Sequence, residues 1–226
     1  MITQYTFPFG EPVTTVEQQD RTPKKVFVLG VYASAVHAKW VDEDGKVIVN
    51  ALAVASEPYI FWKGDGVEDI ISRIKIPSSL GKLIPAAKNL NGPSGNALDD
   101  LFLKPLGSTR DDAWLCDLVP HSCRNLKQKE AIERGYEPRM KKYNLPEATV
   151  PDVPEIVADD KRREEILSEI RQADPETIIL LGNEPIKWFL SRHDEHWAVL
   201  SDFGDTPETY GQLHDAKIGG KTYKVL

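Results

Sequence analysis

The chain has 226 residues, 41% of them hydrophobic and 28% charged, and a formal net charge of -7. These values are typical of a globular protein large enough for one α/β domain, and the acidic balance argues against a broad nucleic-acid surface. No apolar run approaches the ~20 residues that cross a bilayer, and residues 1–20 lack a secretory layout, so we expect a cytoplasmic protein. Cys116 and Cys123 are the only cysteines, which excludes a disulfide framework and a cysteine-ligated metal site.

The first third of the chain contains three recognisable patterns. Residues 1–23 place aromatic side chains among Pro and Gly, which predicts an irregular arm packed on the body of the protein. Residues 26–30 form a continuous β-branched and aromatic run, typical of a strand buried on both faces. Residues 38–41 and 46–53 flank Asp42-Glu43-Asp44-Gly45, a strong hairpin turn signal.

The remaining elements alternate between helical spacing and short apolar runs. Helices are predicted over residues 67–76, 94–103, 126–135, from Asp159 or Asp160 to 173, and from 183 with Pro185 in its first turn. Strands are predicted over residues 113–119, 176–181 and 222–226, the last as the second arm of a hairpin that begins at 217. The Pro-rich span 137–157 is predicted to be a long surface loop. This alternation, without repeats or an evident linker, predicts one domain (1–226) with a parallel sheet between two helical layers.

Small or polar residues follow three of the predicted strands: Gly30 to Ser34, Asp117, and Gly182-Asn183. The carboxyl ends of parallel strands share one edge, where ligands bind in open α/β sheets. A buried carboxylate such as Asp117 is costly unless it accepts hydrogen bonds, pairs with a cation or binds a ligand, so a purely structural role stays open. Phosphate-binding, dinucleotide-binding and serine-hydrolase glycine motifs are absent from the sequence.

Charge is distributed unevenly along the chain. Residues 121–144 carry seven basic and three acidic side chains, whereas residues 152–176 carry nine acidic and four basic ones. This pattern indicates either two solvated helical faces or a phosphate-facing strip beside a site, with Arg124, Lys127 and Lys129 as the nucleic-acid contacts. His193 and His196 flank two acids, but without an H-E-x-x-H pattern a solvated surface is favoured over metal ligation.

Four stretches follow one another along the chain: VFVLGVYASAVHAKW, NGPSGNALDDLFLKPLG, WLCDLVPHSCRN and TIILLGNEPIKWF. In these stretches the chain resembles the uracil-DNA glycosylase superfamily, and more narrowly its uncharacterised uracil-DNA-glycosylase-like proteins. The resemblance covers roughly residues 24–226. It implies a three-layer α/β/α fold with a central four-stranded parallel sheet, and hydrolysis of the N-glycosidic bond of an altered DNA base that is drawn into a pocket at the strand ends.

The same resemblance implies roles for individual residues. Tyr32 occupies the position of the water-activating residue, and Asp117 that of the strand residue, commonly Asn, that reads the polar edge of the base. An ionised Asp only accepts hydrogen bonds, so it favours donor-rich base edges over that of uracil. His37, with Trp40 as a second candidate, stacks on the base. The implied base pocket comprises Gly30, Ala33, Ser34, His37, Trp40, Asp117 and Asn183.

Two alternatives remain open at this point. A phenol at position 32, Asp117 and the acidic net charge favour a non-catalytic protein of the same fold that binds a base, a nucleotide or a protein partner. A small-molecule hydrolase that uses Asp117 and His121 is a weaker option. The resemblance also implies a His-Pro-Ser-type loop after the strand that ends at Leu226. We expect DNA or a free base or nucleotide as the partner, no cofactor, no metal, no membrane association, and a monomer.

Overall fold

The computed structural model describes residues 5–206, 208–209 and 211–226. Residues 1–4 of the predicted arm lie outside this range. The chain forms two compact units. The antiparallel unit consists of Met1–Val16, Ala33–Leu98 and His121–Pro154, and the parallel unit consists of Glu17–Tyr32, Asp99–Pro120 and Glu155–Leu226.

The described residues form eight strands and six α-helices. The strands are β1 (Val26–Tyr32), β2 (Ala35–Val41), β3 (Val47–Ser56), β4 (Lys82–Pro85), β5 (Ala113–Val119), β6 (Thr177–Leu180), β7 (His214–Ile218) and β8 (Lys221–Val225). The helices are α1 (Val67–Ser72), α2 (Pro93–Leu98), α3 (Leu126–Ala131), α4 (Glu137–Tyr143), α5 (Asp160–Ala173) and α6 (Asn183–Trp188). No helix in this part of the chain is both long and apolar enough to span a membrane.

The parallel unit contains a five-stranded sheet in the order β5-β1-β6-β8-β7. The first four strands are parallel, and β7 pairs antiparallel with β8. The prediction of an α/β protein built on parallel strands is therefore confirmed, with five strands in the sheet where four were expected. The fifth strand arises because both arms of the hairpin that turns at Gly219-Gly220 join the sheet.

The outer edge of β5 is covered by side chains from neighbouring segments. Gln18 accepts a hydrogen bond from the Leu115 N–H at 3.1 Å. Arg162 of α5 donates to the carbonyls of Asp117 (2.8 Å) and Leu118 (3.1 Å). Helix α5 begins at the predicted cap, since the Asp159 side chain accepts from the Arg162 N–H. An unpaired strand edge can pair with strands of other chains, and these hydrogen bonds occupy part of the outer edge of β5.

The antiparallel unit contains a three-stranded sheet in the order β3-β2-β4. The predicted hairpin turn joins β2 to β3, where the Asp42 N–H donates to the Lys46 carbonyl at 2.9 Å and the Asp42 side chain accepts from the Lys46 N–H at 2.8 Å. The Phe9 ring meets the rings of Trp40 and Tyr136 edge-on at 5.1 Å. Phe7 and Phe9 are buried, so this part of the N-terminal arm packs on the body of the antiparallel unit.

The span after the predicted helix 126–135 requires a correction. Residues 137–157 were expected to form a loop, but Glu137–Tyr143 is helical and only the later residues are irregular. Pro138 lies in the first turn of α4, where its missing N–H is not needed. A short stretch of π-helix, Ile132–Tyr136, joins α3 to α4. Gly135 lets this turn pack on Val49, since a Cβ at Gly135 would lie 2.2 Å from the Val49 Cγ2.

Candidate functional site

Gly30 and Asp117 lie side by side at the carboxyl end of the parallel sheet. They are paired in the register of β1 and β5, and Tyr32 pairs with Val119 one step further along. Paired residues of neighbouring parallel strands project to the same face, so the Asp117 side chain lies on the face where Gly30 has no side chain, and Gly30 is itself buried. Tyr32, two residues beyond Gly30, projects to the same face. Asp117 is only 4% exposed.

The third strand end lies next to these two in the sheet. Leu29 pairs with Leu180, and the Leu181 N–H donates to the Leu29 carbonyl at 3.0 Å. The chain then turns at Gly182, whose φ of 94° is a conformation that favours glycine. Asn183 starts α6, and its side-chain oxygen accepts from the Leu200 N–H at 2.8 Å. The three predicted strand ends thus share one edge, but the Asn183 oxygen is engaged within the fold.

Arg162 anchors the backbone at Asp117. Besides its bonds to the Asp117 and Leu118 carbonyls, its guanidinium lies 3.4 Å from the Glu169 carboxylate and 3.2 Å from the Cys116 Sγ. The Glu169 carboxylate in turn accepts from the Trp114 indole N–H at 2.9 Å. This network fixes β5 where Asp117 stands. Sequence reasoning missed Arg162, because the charge count alone assigned it to an acidic helical face.

The two cysteines have environments that suppress reactivity. Burial raises the pKa of Cys116 well above its usual value, with a further contribution from the charge of Glu169. Burial likewise raises the pKa of Cys123 to about 11, and Asp152 adds to the shift. Since the thiolate is the nucleophile, neither cysteine is a candidate for covalent catalysis near neutral pH.

A cavity of about 660 Å³ opens at the carboxyl ends of β6 and β8. Its walls are mostly apolar, and Gln212 carries the one polar side chain among the lining residues described. The lining residues are Leu101, Phe102, Pro105, Leu106, Leu180, Leu181, Gly182, Ile186, Leu200, Phe203, Gly211, Gln212 and Leu226. The cavity has the size and apolar character of a small-molecule site. The predicted base-pocket residues do not line it, although Gly182 directly precedes Asn183.

Four predicted base-pocket residues belong to the antiparallel unit. Ala33 is buried, and the Ser34 carbonyl accepts from the Ser122 hydroxyl at 2.6 Å. Trp40 is fully buried and donates its indole N–H to the Leu80 carbonyl at 2.7 Å. Trp40 is therefore a core residue with no ring face exposed for a base, which corrects its expected place in the pocket.

His37 lies on β2 with its backbone held by Asn91. The His37 N–H donates to the Asn91 side-chain oxygen at 2.8 Å, and the Asn91 amide nitrogen donates to the His37 carbonyl at 3.0 Å. Desolvation lowers the pKa of the His37 ring more than the carbonyls of Leu90 and Ala35 raise it. Its Nδ1 is buried without a hydrogen-bond partner in the described part of the chain. The His37 imidazole is therefore neutral and partly buried at neutral pH.

The predicted nucleic-acid contacts lie around the start of α3 in the antiparallel unit. Arg124 is paired with Asp152 at 2.6 Å, whereas Lys127 has no ion pair or hydrogen bond to the residues described. His121 places its Nδ1 3.2 Å from the Ser122 carbonyl. Within the described ranges, no three His, Cys, Asp or Glu side chains are grouped as metal ligands, including those around His193 and His196.

Comparison with known proteins gives no match: no family model, no curated protein and no solved structure matches this chain.

The chemistry of the strand edge follows from its residues alone. A carboxylate such as that of Asp117 only accepts hydrogen bonds, so the groups that it can engage are N–H or O–H donors. Tyr32 supplies a hydroxyl on the same face that donates or accepts one hydrogen bond. Asp117 and Tyr32 offer hydrogen-bonding groups, and no carboxylate stands at position 32 to activate a nucleophile.

Proposed function

We propose that this protein is a uracil-DNA-glycosylase-like enzyme that hydrolyses the N-glycosidic bond of an altered base in DNA. One observation carries the proposal: Gly30 and Asp117 are paired at the carboxyl end of adjacent parallel strands. That edge is where open α/β sheets bind ligands. The order of the four sequence stretches that resemble the superfamily is the second support.

Base excision in duplex DNA requires an extruded nucleotide, a positioned water and stabilisation of the departing base. In our proposal Asp117 accepts hydrogen bonds from the polar edge of the extruded base. Arg162 holds the β5 backbone at Asp117, so that the carboxylate keeps its position. Tyr32 orients the attacking water by a hydrogen bond and does not remove its proton, because a phenol is a weak base. As the water oxygen bonds to the sugar carbon and the N-glycosidic bond breaks, that proton passes to the departing base or to solvent. The proposed enzyme therefore relies on binding and orientation more than on proton transfer.

A non-catalytic protein that binds a base or nucleotide through the same edge is the second candidate. It is favoured by Tyr32, which has no carboxylate to activate water. In this candidate Asp117 still recognises donor groups on the ligand, but no bond is broken.

The test is to incubate the protein with single- and double-stranded oligonucleotides that carry uracil, hypoxanthine or xanthine, and to reveal abasic sites by alkaline cleavage. The enzyme reading predicts product from at least one substrate. It also predicts a loss of about tenfold or more for Asp117→Asn, since a charge-assisted hydrogen bond contributes about 1.5–3 kcal/mol. Asp111→Asn, which changes an exposed carboxylate shortly before β5, serves as the matched control and should retain activity.

Absence of product from all six substrates would contradict the enzyme reading. Calorimetric titration of the same protein with free bases and nucleotides then decides the second candidate. Binding that Asp117→Asn weakens would support it, whereas absence of any binding would contradict both candidates. Circular dichroism of each variant confirms that the substitution leaves the fold intact.

A further inference from the structure

The cavity at the carboxyl ends of β6 and β8 is too large to be a packing defect. Its volume is about 660 Å³. A water molecule occupies about 30 Å³ in the liquid, and well-packed interiors contain few voids larger than one water. Pockets that bind small molecules have volumes of about 300–1,000 Å³. All of the described lining residues belong to the parallel unit, and none of them has a role in the proposed function.

The wall that contains Phe102 and Leu106 is held in place by bonds within its own part of the chain. The stretch Asp99–Leu103 is π-helical, and the Asp99 carboxylate is paired with the Arg110 guanidinium at 2.6 Å. The Leu106 N–H donates to the Phe102 carbonyl at 3.2 Å. These bonds fix the backbone from which both apolar side chains reach the cavity.

The wall that contains Leu200 and Phe203 is fixed in a similar way. The Leu200 N–H donates to the Asn183 side-chain oxygen at 2.8 Å. The ring of Phe203 packs on that of Trp197 with a centroid distance of 4.4 Å, and its carbonyl lies 3.1 Å from the His214 Nε2. Both walls are therefore formed without a ligand, as is usual for small-molecule sites.

The lining carries no charged side chain among the residues described, although the parallel unit has 22 acidic and 14 basic side chains. An ion that entered such a cavity would lose its hydration without gaining a partner. The acidic excess of the unit disfavours anions further. The cavity is therefore suited to a neutral, mostly apolar molecule.

Gln212 carries the one polar side chain among the described lining residues. It is exposed, and its side chain forms no hydrogen bond to the part of the chain that the structure describes. A side-chain amide both donates and accepts hydrogen bonds. Gln212 can therefore bind one polar group of a molecule whose apolar part occupies the cavity.

We propose that this cavity binds a neutral, mostly apolar small molecule with one hydrogen-bonding group, and that Gln212 forms a hydrogen bond to that group. The proposal goes beyond the proposed function and does not depend on it, because Asp117 and Tyr32 do not line the cavity. Nucleotides are outside this ligand class, since their phosphates are charged.

The experiment titrates the folded protein with two fluorescent probes that share one ring skeleton and fluoresce more strongly in apolar surroundings. N-phenyl-1-naphthylamine is neutral and has a single N–H, whereas 8-anilinonaphthalene-1-sulfonate carries an additional sulfonate. We expect one molecule of the neutral probe to bind per chain. Its affinity should exceed that of the sulfonate by about tenfold or more, because the apolar lining does not compensate the desolvated charge.

A substitution in the wall tests whether the probe occupies this cavity. Leu200→Asp places a carboxylate in the lining and should weaken binding of N-phenyl-1-naphthylamine by about tenfold or more. Ile156→Asp adds the same charge at an exposed position of the same unit that does not line the cavity, and it should bind the probe like wild type. Circular dichroism of both variants confirms that they are folded.

A second variant tests the hydrogen bond at an exposed position, where substitution does not disturb the core. Gln212→Ala should weaken binding of N-phenyl-1-naphthylamine by about threefold to tenfold, because one hydrogen bond is lost. In 1-benzylnaphthalene a methylene group replaces the N–H. Its affinity, measured by displacement of the fluorescent probe, should be the same for wild type and Gln212→Ala.

Absence of N-phenyl-1-naphthylamine binding to the wild type would overturn the proposal, and so would equally tight binding of the sulfonate. Equal affinities of Leu200→Asp and Ile156→Asp would show that the probe binds elsewhere. An unchanged affinity of Gln212→Ala for N-phenyl-1-naphthylamine, or an equal loss for 1-benzylnaphthalene, would overturn the assigned hydrogen bond. Failure of the proposed function is distinguishable from all of these results, because it is measured separately, as the absence of abasic product.

Discussion

The two units of this chain differ in sheet type and in charge. The antiparallel unit carries 14 basic and 13 acidic side chains, and the parallel unit carries 14 basic and 22 acidic ones. The parallel unit contains the strand edge with Asp117, whereas the antiparallel unit contains the basic segment around α3. The field of an acidic unit repels phosphates. The difference teaches that the excess of acidic charge lies in the unit that contains the Asp117 strand edge, whereas the antiparallel unit is close to neutral.

The units also use glycine differently. Gly92 of the antiparallel unit and Gly182 of the parallel unit both have positive φ values, 77° and 94°. A Cβ at Gly92 would lie 2.0 Å from the Lys63 carbonyl carbon, whereas a Cβ at Gly182 would meet nothing within 4 Å. Gly92 therefore permits a close backbone approach, and Gly182 permits only a turn beside the cavity.

The largest expected effect on stability comes from replacing each of these two glycines with alanine. Gly92→Ala combines backbone strain with a steric clash and should lower the free energy of unfolding by about 3 kcal/mol or more. Gly182→Ala adds strain alone and should cost about 1–3 kcal/mol. Urea unfolding followed by circular dichroism measures both. An equal cost for the two variants would show that Gly182 does not face open space.

In each unit a glutamine side chain forms hydrogen bonds to the backbone of an edge strand, but the number of these hydrogen bonds differs. Gln128 makes two hydrogen bonds to β3, and Gln18 makes one to β5. We expect Gln128→Ala to cost about 1–3 kcal/mol and Gln18→Ala about 0.5–1.5 kcal/mol in urea unfolding. A larger loss for Gln18→Ala would contradict the assignment of these bonds.

Each unit also has a histidine whose pKa is lowered. Burial lowers the pKa of His37 in the antiparallel unit and of His193 in the parallel unit. The unfolded chain binds protons near pH 6.5, while the folded chain binds them only at lower pH. The stability due to the neutral rings is therefore present above about pH 6.5 and is lost as the pH falls through the folded pKa values.

Measuring the free energy of unfolding at pH 7.5, 6.0 and 5.0 tests whether stability falls as the pH is lowered. The loss of stability due to His37 has a slope of at most about 1.4 kcal/mol per pH unit. His37→Gln and His193→Gln should each flatten the profile below pH 6.5. Unchanged profiles for both variants would show that the rings titrate alike in the folded and unfolded chain.

The smallest expected effect concerns the thiols, one in each unit. Since the pKa of Cys123 is about 11 and that of Cys116 is raised well above its usual value, neither should react with Ellman's reagent in the folded protein at pH 8. Both should react in denaturant, which serves as the control. Rapid reaction of either thiol with Ellman's reagent in the native protein would contradict the burial of that cysteine.

Much of the local structure followed from short-range patterns. The run at β1 and the turn at Asp42 to Gly45 predicted a strand and a hairpin, and Asp159 predicted the start of α5. The helix α4 was missed because a Pro-rich composition indicated a loop, although Pro138 is compatible with a first helical turn.

The candidate site could be predicted only in part. Gly30, Asp117 and the end of β6 were recognised, because a parallel sheet places such residues on one edge. The residues that line the cavity were not recognised, because the segments around Phe102 and Phe203 reach the cavity through contacts that no sequence pattern specifies. Arg162 was missed for the same reason.

By itself, the sequence determined most of the strands and helices, although not α4 or β4, because hydrophobic periodicity, caps and turn residues act over a few positions. It also determined that Asp117 ends a buried strand. Only the tertiary structure decided that β2, β3 and β4 form a separate sheet, that Trp40 is a core residue and that Arg124 pairs with Asp152. Those outcomes depend on residues far apart in the chain, whose packing free energies are set jointly rather than locally.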